Sequence, residues 1–371
     1  MSKKIVIALN TAWNLANFRA GLIRALVAKG HEVVAVAPYD DYALRLHELG
    51  CRYVALPMDN KGTHPGRDLM LFLRFWFLLK RERPNVFLGY TVKPNVYGSL
   101  AAHVLGIAVV NNIAGLGATF IRDNWLTRLV QLLYRTALSR SRHVFFQNEE
   151  DLRLFVERGL VASDKVSRLP GSGVDLATFC YTPMRTLENR AFVFLLVARL
   201  LWDKGVGEYV EAARLVRRQY PTAKFQLLGF LDVKNPTAVS SEQMNEWVEE
   251  GVVEYLGVAD DVKPYLAAAD CVVLPSYREG VPRSLLEAAA MGRPIVTTDA
   301  VGCRDAVDDG VSGLLCRTRN ADDLAVKLLR IIEMPAEDRA KIGLAGRSKM
   351  ELEFDENIVI DRYMHVIKSF L

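Results

Sequence analysis

Apolar residues fall along the chain in short unbroken runs, separated by stretches whose apolar positions recur at helical spacing. Ile5–Leu9, Val33–Ala37, Tyr53–Leu56 and Val86–Gly89 are such runs. Between them Asn17–Lys29 carries Phe18, Leu22 and Leu26 and ends at Gly30, and helices are expected near Tyr42–Leu49 and over Asp68–Arg83. Strands with no polar alternation are buried on both faces, so this cadence predicts a parallel sheet covered by helices on each side. The cadence restarts at Phe192–Val197. Helix Gly205–Gln219, strands Phe225–Leu228 and Val252–Leu256, and helix Val262–Ala268 follow. Strand Cys271–Leu274, helix Pro282–Met291, strand Ile295–Thr297 and helix Ala321–Ile332 complete the second series. Thr182–Arg190 between the two is polar and contains proline, as linkers do.

A length of 371 residues agrees with two α/β domains, since one core seldom serves so long a chain. The composition, 51% apolar and 24% charged, is that of a globular protein. The start MSKKIVIALN reads as a strand and not as a signal peptide. The longest apolar stretch, Leu69–Leu79, is broken by Arg74 and too short to span a bilayer. Cys51, Cys180, Cys271, Cys303 and Cys316 form no CxxC and are expected as reduced, mostly buried residues of a cytoplasmic protein. The net charge of +4 is unevenly spread: residues 1–175 carry +9 and the remainder −5. A basic first half suggests an anionic partner for that half alone.

In such sheets ligands bind beyond the carboxyl ends of the strands, and the motifs lie there. After Cys271–Leu274 comes LPSYREGVPRSLLEA. Glu279 lies in its loop, Pro282 where a first helical turn should begin, and Glu287 about 7–8 Å further along the axis. Free N–H groups at a helix start make an anion site between two carboxylates that can accept hydrogen bonds from hydroxyls. An anion flanked by two polyols fits that description, as a nucleotide sugar does; a cap-region glutamate and a solvated one is the alternative. After Phe192–Val197, the segment ARLLWDKG places Arg199 and Lys204 before a helix that Gly205 opens, which suits a diphosphate or else a solvated surface pair.

Other stretches remain open between ligand loop and plain turn. They are Gly171–Asp175 (GSGVD), Asn112–Gly117 (NIAGLG) and the segment from Gly89 to Gly98 (GYTVKPNVYG), in which Lys93 and Asn95 could meet an anionic acceptor. His64, in KGTHPGRD, is the histidine best placed for a substrate contact. The turn after the first strand, Asn10–Asn17, contains no glycine, so a Rossmann GxGxxG is absent. There is no DxD and no His/Cys/Asp cluster at ligand spacing, so neither metal nor cofactor is expected. Asp68–Arg83 and Arg122–Arg142 mix aromatic and aliphatic residues with arginines, a pattern that fits core packing or a helix lying on an anionic membrane surface. Nothing in the chain points to nucleic acid.

With these residues in place the chain resembles glycosyltransferase family 4, over nearly its whole length and most closely from Phe192 to Val311. EGVPRSLLE is similar to the family's two glutamates seven residues apart, and ARLLWDKG to its phosphate-binding Arg and Lys. The resemblance implies a retaining, metal-independent hexosyltransferase of the GT-B fold: two Rossmann-like domains facing a central cleft, with a C-terminal helix crossing back to the first. It implies an acceptor domain over 1–180, joined by the terminal helix 354–371, and a nucleotide-sugar domain over 181–353. Glu279 would contact the donor sugar and Arg199 and Lys204 its diphosphate. Glu287 would hold the ribose, Gly257 and Val258 the base, and Gly280, Val281, Pro282 and Ser284 would complete the donor side. Acceptor-side candidates are Asn17, Lys93, Asn95, Gly115, Gly117 and His64. The chain departs from the family in Asn14–Asn17, where paired glycines are common, and near Thr91 and Val92, where many members carry a histidine.

ARLLWDKGVGEY, LPSYREGVP and YTVKPNVYG are similar to bacterial members that extend undecaprenyl-diphosphate-linked saccharides. That implies an N-acetylhexosamine moved from a UDP-sugar to a lipid-linked saccharide, at the inner face of a bacterial membrane. A transferase with a soluble acceptor, a UDP-sugar epimerase of the same architecture and a silent nucleotide-sugar-binding scaffold are the competing readings.

Overall fold

The computed structural model describes residues 2–59, 64–115, 125–185, 190–233 and 235–370, without the side chains of Trp125 and Leu126. The chain divides into two compact units, Met1–Ser172 with Glu356–Leu371, and Gly173–Asp355.

The first unit holds Lys4–Ala8 (β1), Glu32–Ala37 (β2), Arg52–Ala55 (β3), Val86–Tyr90 (β4), Ala108–Ile113 (β5), His143–Phe146 (β6) and Val166–Arg168 (β7). They form one seven-stranded sheet in the order β3-β2-β1-β4-β5-β6-β7, every pairing parallel. The second unit holds Val193–Val197 (β8), Lys224–Leu228 (β9), Glu254–Tyr255 (β10), Cys271–Leu274 (β11), Ile295–Thr298 (β12) and Leu314–Cys316 (β13). These make a parallel six-stranded sheet, β10-β9-β8-β11-β12-β13.

The unbroken apolar runs are explained by side chains that alternate between two cores. From β1, Ile5 and Ile7 pack with Leu22, Ile23 and Leu26 of the Ala20–Ala28 helix, and with Tyr363 and Ile367 of the terminal helix Glu356–Lys368. Val6 and Ala8 point the other way, onto Leu71, Phe75, Leu78 and Leu79 of the Pro65–Glu82 helix. β8 repeats the arrangement: Phe194 and Leu196 meet Tyr209, Val210 and Val216, while Leu195 meets Leu285, Leu286 and Ala289. The terminal helix therefore belongs to the first unit. Tyr363 seals it there, accepting a hydrogen bond from the Asn112 amide at 2.9 Å.

Two expectations are corrected. Asn14–Asn17 is no loop, because Ala12–Phe18 is a helix whose Thr11 side chain caps the Asn14 N–H. Asn112 does not open a glycine loop but lies inside strand β5, which ends at Ile113. There Asn111 and Asn112 are buried with Asn95, Ser99 and Ser141, each amide satisfied by its neighbours. All five cysteines are free thiols, four of them buried and Cys180 exposed.

Candidate active site

In the second sheet the chain runs outward from β8 to β10 and then returns to place β11 beside β8. The loops leaving β8 and β11 diverge from that point, which is where an open parallel sheet offers a crevice to a ligand. They are fastened to one another. The Tyr277 N–H donates to the Asp203 carbonyl at 3.0 Å and the Ser276 hydroxyl to the same carbonyl at 3.1 Å. Gly205 is left-handed at φ +72°, and a Cβ there would overlap the Pro275 carbonyl, so only glycine lets the two loops close. On the other flank the Glu279 N–H donates to the Val301 carbonyl at 2.9 Å. Gly302, at φ +81°, leaves no room for a Cβ against the carbonyls of Glu279 and Gly280.

This scaffold brings Lys204 and Glu279 into direct contact, Nζ on Oε1, with the two side chains only 17% and 14% exposed. Arg199 leaves the carboxyl end of β8 exposed, and its side chain has no partner among the described residues. The helix begins at Arg283, one residue later than expected, with Pro282 in the capping position. Gly280, Val281 and Ser284 are half-buried around that start. Glu287 accepts a hydrogen bond from Arg283 Nε at 2.7 Å. Burial pushes the Glu287 carboxyl above the usual range, and the Arg283 charge only partly offsets it. Arg283 was missed by the motif reading, although its four-residue spacing from Glu287 on one helix face is a signal for such a pair. Cys303, beside this loop, is no nucleophile: burial and then the Glu279 charge push its thiol up to about 12.

Gly257 lies beyond β10 at φ +75°, and its carbonyl accepts from the Gly229 N–H at 2.8 Å. Val258 next to it is 49% exposed. The β8, β9 and β10 loops thus share one edge of the second unit with the Lys204–Glu279 pair. Arg199, Lys204 and the Arg283–Ala290 helix start can face an anion, and Glu279 and Glu287 can accept from hydroxyls on either side of it.

The acceptor-side candidates all lie in the first unit, and several are already engaged. Lys93 Nζ pairs with the buried Asp68 at 2.9 Å, so it is not a free cation. Asn95 is buried, donating to the Asn112 carbonyl at 2.8 Å and accepting from Asn111; it holds the unit together instead of facing a ligand. Asn17 donates to the Trp13 carbonyl within its own helix. His64 caps the Pro65–Glu82 helix, its Nδ1 accepting from the Arg67 N–H at 3.5 Å. Gly115 follows β5, and Gly117 lies outside the described residues.

Residues 191–334 match the family model described as glycosyl transferases group 1, and residues 15–171 that of the glycosyl transferase 4-like domain. The chain is 30% identical over 367 residues to the N,N'-diacetylbacillosaminyl-diphospho-undecaprenol alpha-1,3-N-acetylgalactosaminyltransferase of Campylobacter jejuni, with 95% of this chain and 94% of that one covered. The chain belongs to the group 1 glycosyltransferases. A second relative, the UDP-Gal:alpha-D-GlcNAc-diphosphoundecaprenol alpha-1,3-galactosyltransferase of Escherichia coli, is 25% identical over 72% of this glycosyltransferase and 71% of its own length. Among solved structures, Anabaena HepE in complex with UDP-glucose superposes with a TM-score of 0.80 at 17% identity, over 99% of this chain and 100% of that one. A glycosyltransferase from Rickettsia africae gives 0.80 at 15%, over 100% and 98%. These likenesses establish the fold as GT-B.

Proposed function

We propose that the protein is a retaining, metal-independent hexosyltransferase that moves an N-acetylhexosamine from a UDP-sugar to a polyprenyl-diphosphate-linked saccharide in cell-surface glycan assembly. One observation carries the reading: Lys204, Glu279, Arg283 and Glu287 gather at the switch point of the second sheet, in a chain whose 30%-identical relative is named as an N-acetylgalactosaminyltransferase acting on a diphospho-undecaprenol-linked sugar. Both relatives are named for a diphosphoundecaprenol-linked acceptor.

The donor lies on the second unit. Its diphosphate takes Lys204 away from Glu279 and recruits Arg199, which frees the Glu279 carboxylate for sugar hydroxyls. Glu287 takes the ribose hydroxyls, the loop at Gly257 and Val258 receives the base, and Gly280, Val281, Pro282 and Ser284 line the donor. The acceptor hydroxyl attacks the anomeric carbon on the face from which the phosphate departs. The C–O bond to phosphate breaks, and the hydroxyl proton passes to the departing phosphate oxygen, so no protein base is needed. Arg199 and Lys204 stabilise the charge that develops there, a task worth ~2.7–4 kcal/mol per fixed donor in comparable sites.

The enzyme works at the inner face of the bacterial membrane, touching anionic lipid through its first unit. The Pro65–Glu82 helix supports this. Its Leu71, Phe75, Leu78 and Leu79 are buried, while Leu69, Leu73 and Phe77 are exposed on the same helix as Arg67, Arg74, Lys80 and Arg81. An apolar stripe with basic flanks suits a headgroup layer. Among the described residues no helix is long and apolar enough to cross a membrane.

The test offers UDP-N-acetylgalactosamine, UDP-N-acetylglucosamine and UDP-galactose with a diphosphate-lipid-linked saccharide and with the same saccharide free. UDP release is followed and the anomeric configuration of the product read by NMR. Transfer to the lipid-linked acceptor with retained configuration is expected. Release only with the free saccharide, an inverted product, or isomerised donor without acceptor would overturn the reading.

A further inference from the structure

The first sheet has its own switch point, between β1 and β4, in the position that β8 and β11 occupy in the second. Two features there are unexplained by packing. Thr91, the residue after β4, has φ +58°, a left-handed conformation that a β-branched residue avoids unless its surroundings impose it. Arg19, at the junction of the Ala12–Phe18 and Ala20–Ala28 helices that follow β1, is buried at 5% exposure with no ion-pair partner among the described residues.

The hydrogen-bond ledger of Arg19 sets it apart from the other buried arginines. Arg293 donates to the carbonyls of Ala269, Thr182 and Met291, and Arg339 to those of Ile332 and Met334; both also feel the charge of Asp270. They tie down the ends of helices. Arg19 has five N–H donors and uses one, Nη1 to the adjacent Phe18 carbonyl at 3.2 Å. Its Nε has no partner, as in Arg293 and Arg339, but its other guanidinium nitrogen, Nη2, has none either, and it forms no ion pair among the described residues. What it does have is a platform. The guanidinium lies 4.3 Å above the ring of Tyr90, the last residue of β4. Tyr90 is itself buried, 6.1 Å from the ring of Tyr363. An aromatic face holds a cation in place without consuming its hydrogen bonds. A buried guanidinium with free donors is costly to keep unless an anion completes it.

We propose that Arg19 is a binding residue for the diphosphate of the acceptor. The planar fork suits a phosphate oxygen pair. The donor's diphosphate already has Arg199 and Lys204 at the second switch point, so the cation at the first is left for the other anionic substrate. The assignment rests on the acceptor being diphosphate-linked.

The experiment measures kcat/KM for a diphosphate-linked acceptor and for the same saccharide on a neutral alkyl chain, in the wild type, Arg19→Gln and Arg19→Lys. The wild type favours the diphosphate acceptor. In Arg19→Gln that preference falls roughly 10- to 100-fold, the worth of a charge-assisted contact. Arg19→Lys, which keeps the charge and loses the fork, lies between. Because the preference is a ratio, a general loss of fold or activity does not move it, and Arg19→Lys carries the test if the glutamine variant fails to fold. An unchanged preference in both variants overturns the proposal. So does a raised KM for the donor with acceptor preference intact, which would give the anion to the donor. If the wild type itself shows no preference, the diphosphate-acceptor reading falls first and this assignment with it.

Discussion

Replacing Lys204 by methionine separates two roles that one contact combines. The Lys204 ammonium sits on Glu279 Oε1, and Glu279 is held in place through its own N–H on Val301. Removing the cation strands a carboxylate that is 14% exposed. For a fully buried pair that loss costs about 3–5 kcal/mol. Both side chains keep some water here, so about 1–3 kcal/mol is expected for this one. On the reaction, Lys204→Met removes one fixed donor to the departing phosphate and should lower kcat by roughly 10²–10³-fold. The double variant Lys204→Met, Glu279→Gln tells the effects apart. An amide needs no counter-charge, so the double variant recovers most of the lost stability and none of the turnover.

Thermal melts of the wild type and the two variants, with initial rates of UDP release, make the comparison. The reasoning fails if Lys204→Met keeps kcat/KM within a factor of a few of the wild type. It fails equally if the double variant regains activity together with stability, since Lys204 would then serve only as the counter-ion of Glu279.

Glu287→Gln should raise the KM for UDP-sugar about tenfold, near the net worth of one hydrogen bond to a charged group. It should also change the pH profile. The folded carboxyl binds its proton more tightly than the unfolded one, so wild-type stability falls as pH rises from the unfolded carboxylate value through the raised folded one; urea melts of Glu287→Gln should lack that fall. Glu82 has the opposite sign: burial pushes it up, but Arg52, Lys4 and Arg81 together outweigh burial and hold it below the usual range. Its contribution is present above the unfolded value and lost as pH falls through the folded one, so Glu82→Gln should flatten the acid limb of the melting curve. Gly302→Ala should slow turnover at least tenfold by pushing the Glu279–Gly280 backbone aside, with thermal stability down by about 1–2 kcal/mol for the left-handed conformation alone. Phe77→Asp, at a side chain 63% exposed, should leave the unfolding free energy within about 0.5 kcal/mol of wild type and weaken flotation with anionic vesicles.

What could be read from the sequence, and what could not, follows from how each residue obtains its energy. β1, β8 and β11 announce themselves because both faces are apolar, and Glu279, Lys204 and Arg199 because they sit in loops directly after such strands. β5 was hidden because its Asn111 and Asn112 satisfy one another's neighbours inside the core, so the letters look like a loop while the backbone is a central strand. The Ala12–Phe18 helix was hidden by its short polar side chains Asn14 and Asn17, whose partners, Asn10 Oδ1 and the Trp13 carbonyl, lie a turn away. Lys93 read as a free cation because its acid, Asp68, is 25 positions distant on another helix. Arg19 is the mirror case. In the sequence it is one arginine in an amphipathic stretch, to be counted with solvated charges. Its meaning comes from the return of the chain that sets β4 beside β1 and puts Tyr90 under the guanidinium. Topology makes the second sheet's crevice in the same way, where the return to β11 meets β8. A motif in one unit can therefore be recognised by its letters, while the corresponding place in the other is found only once the strand order is known.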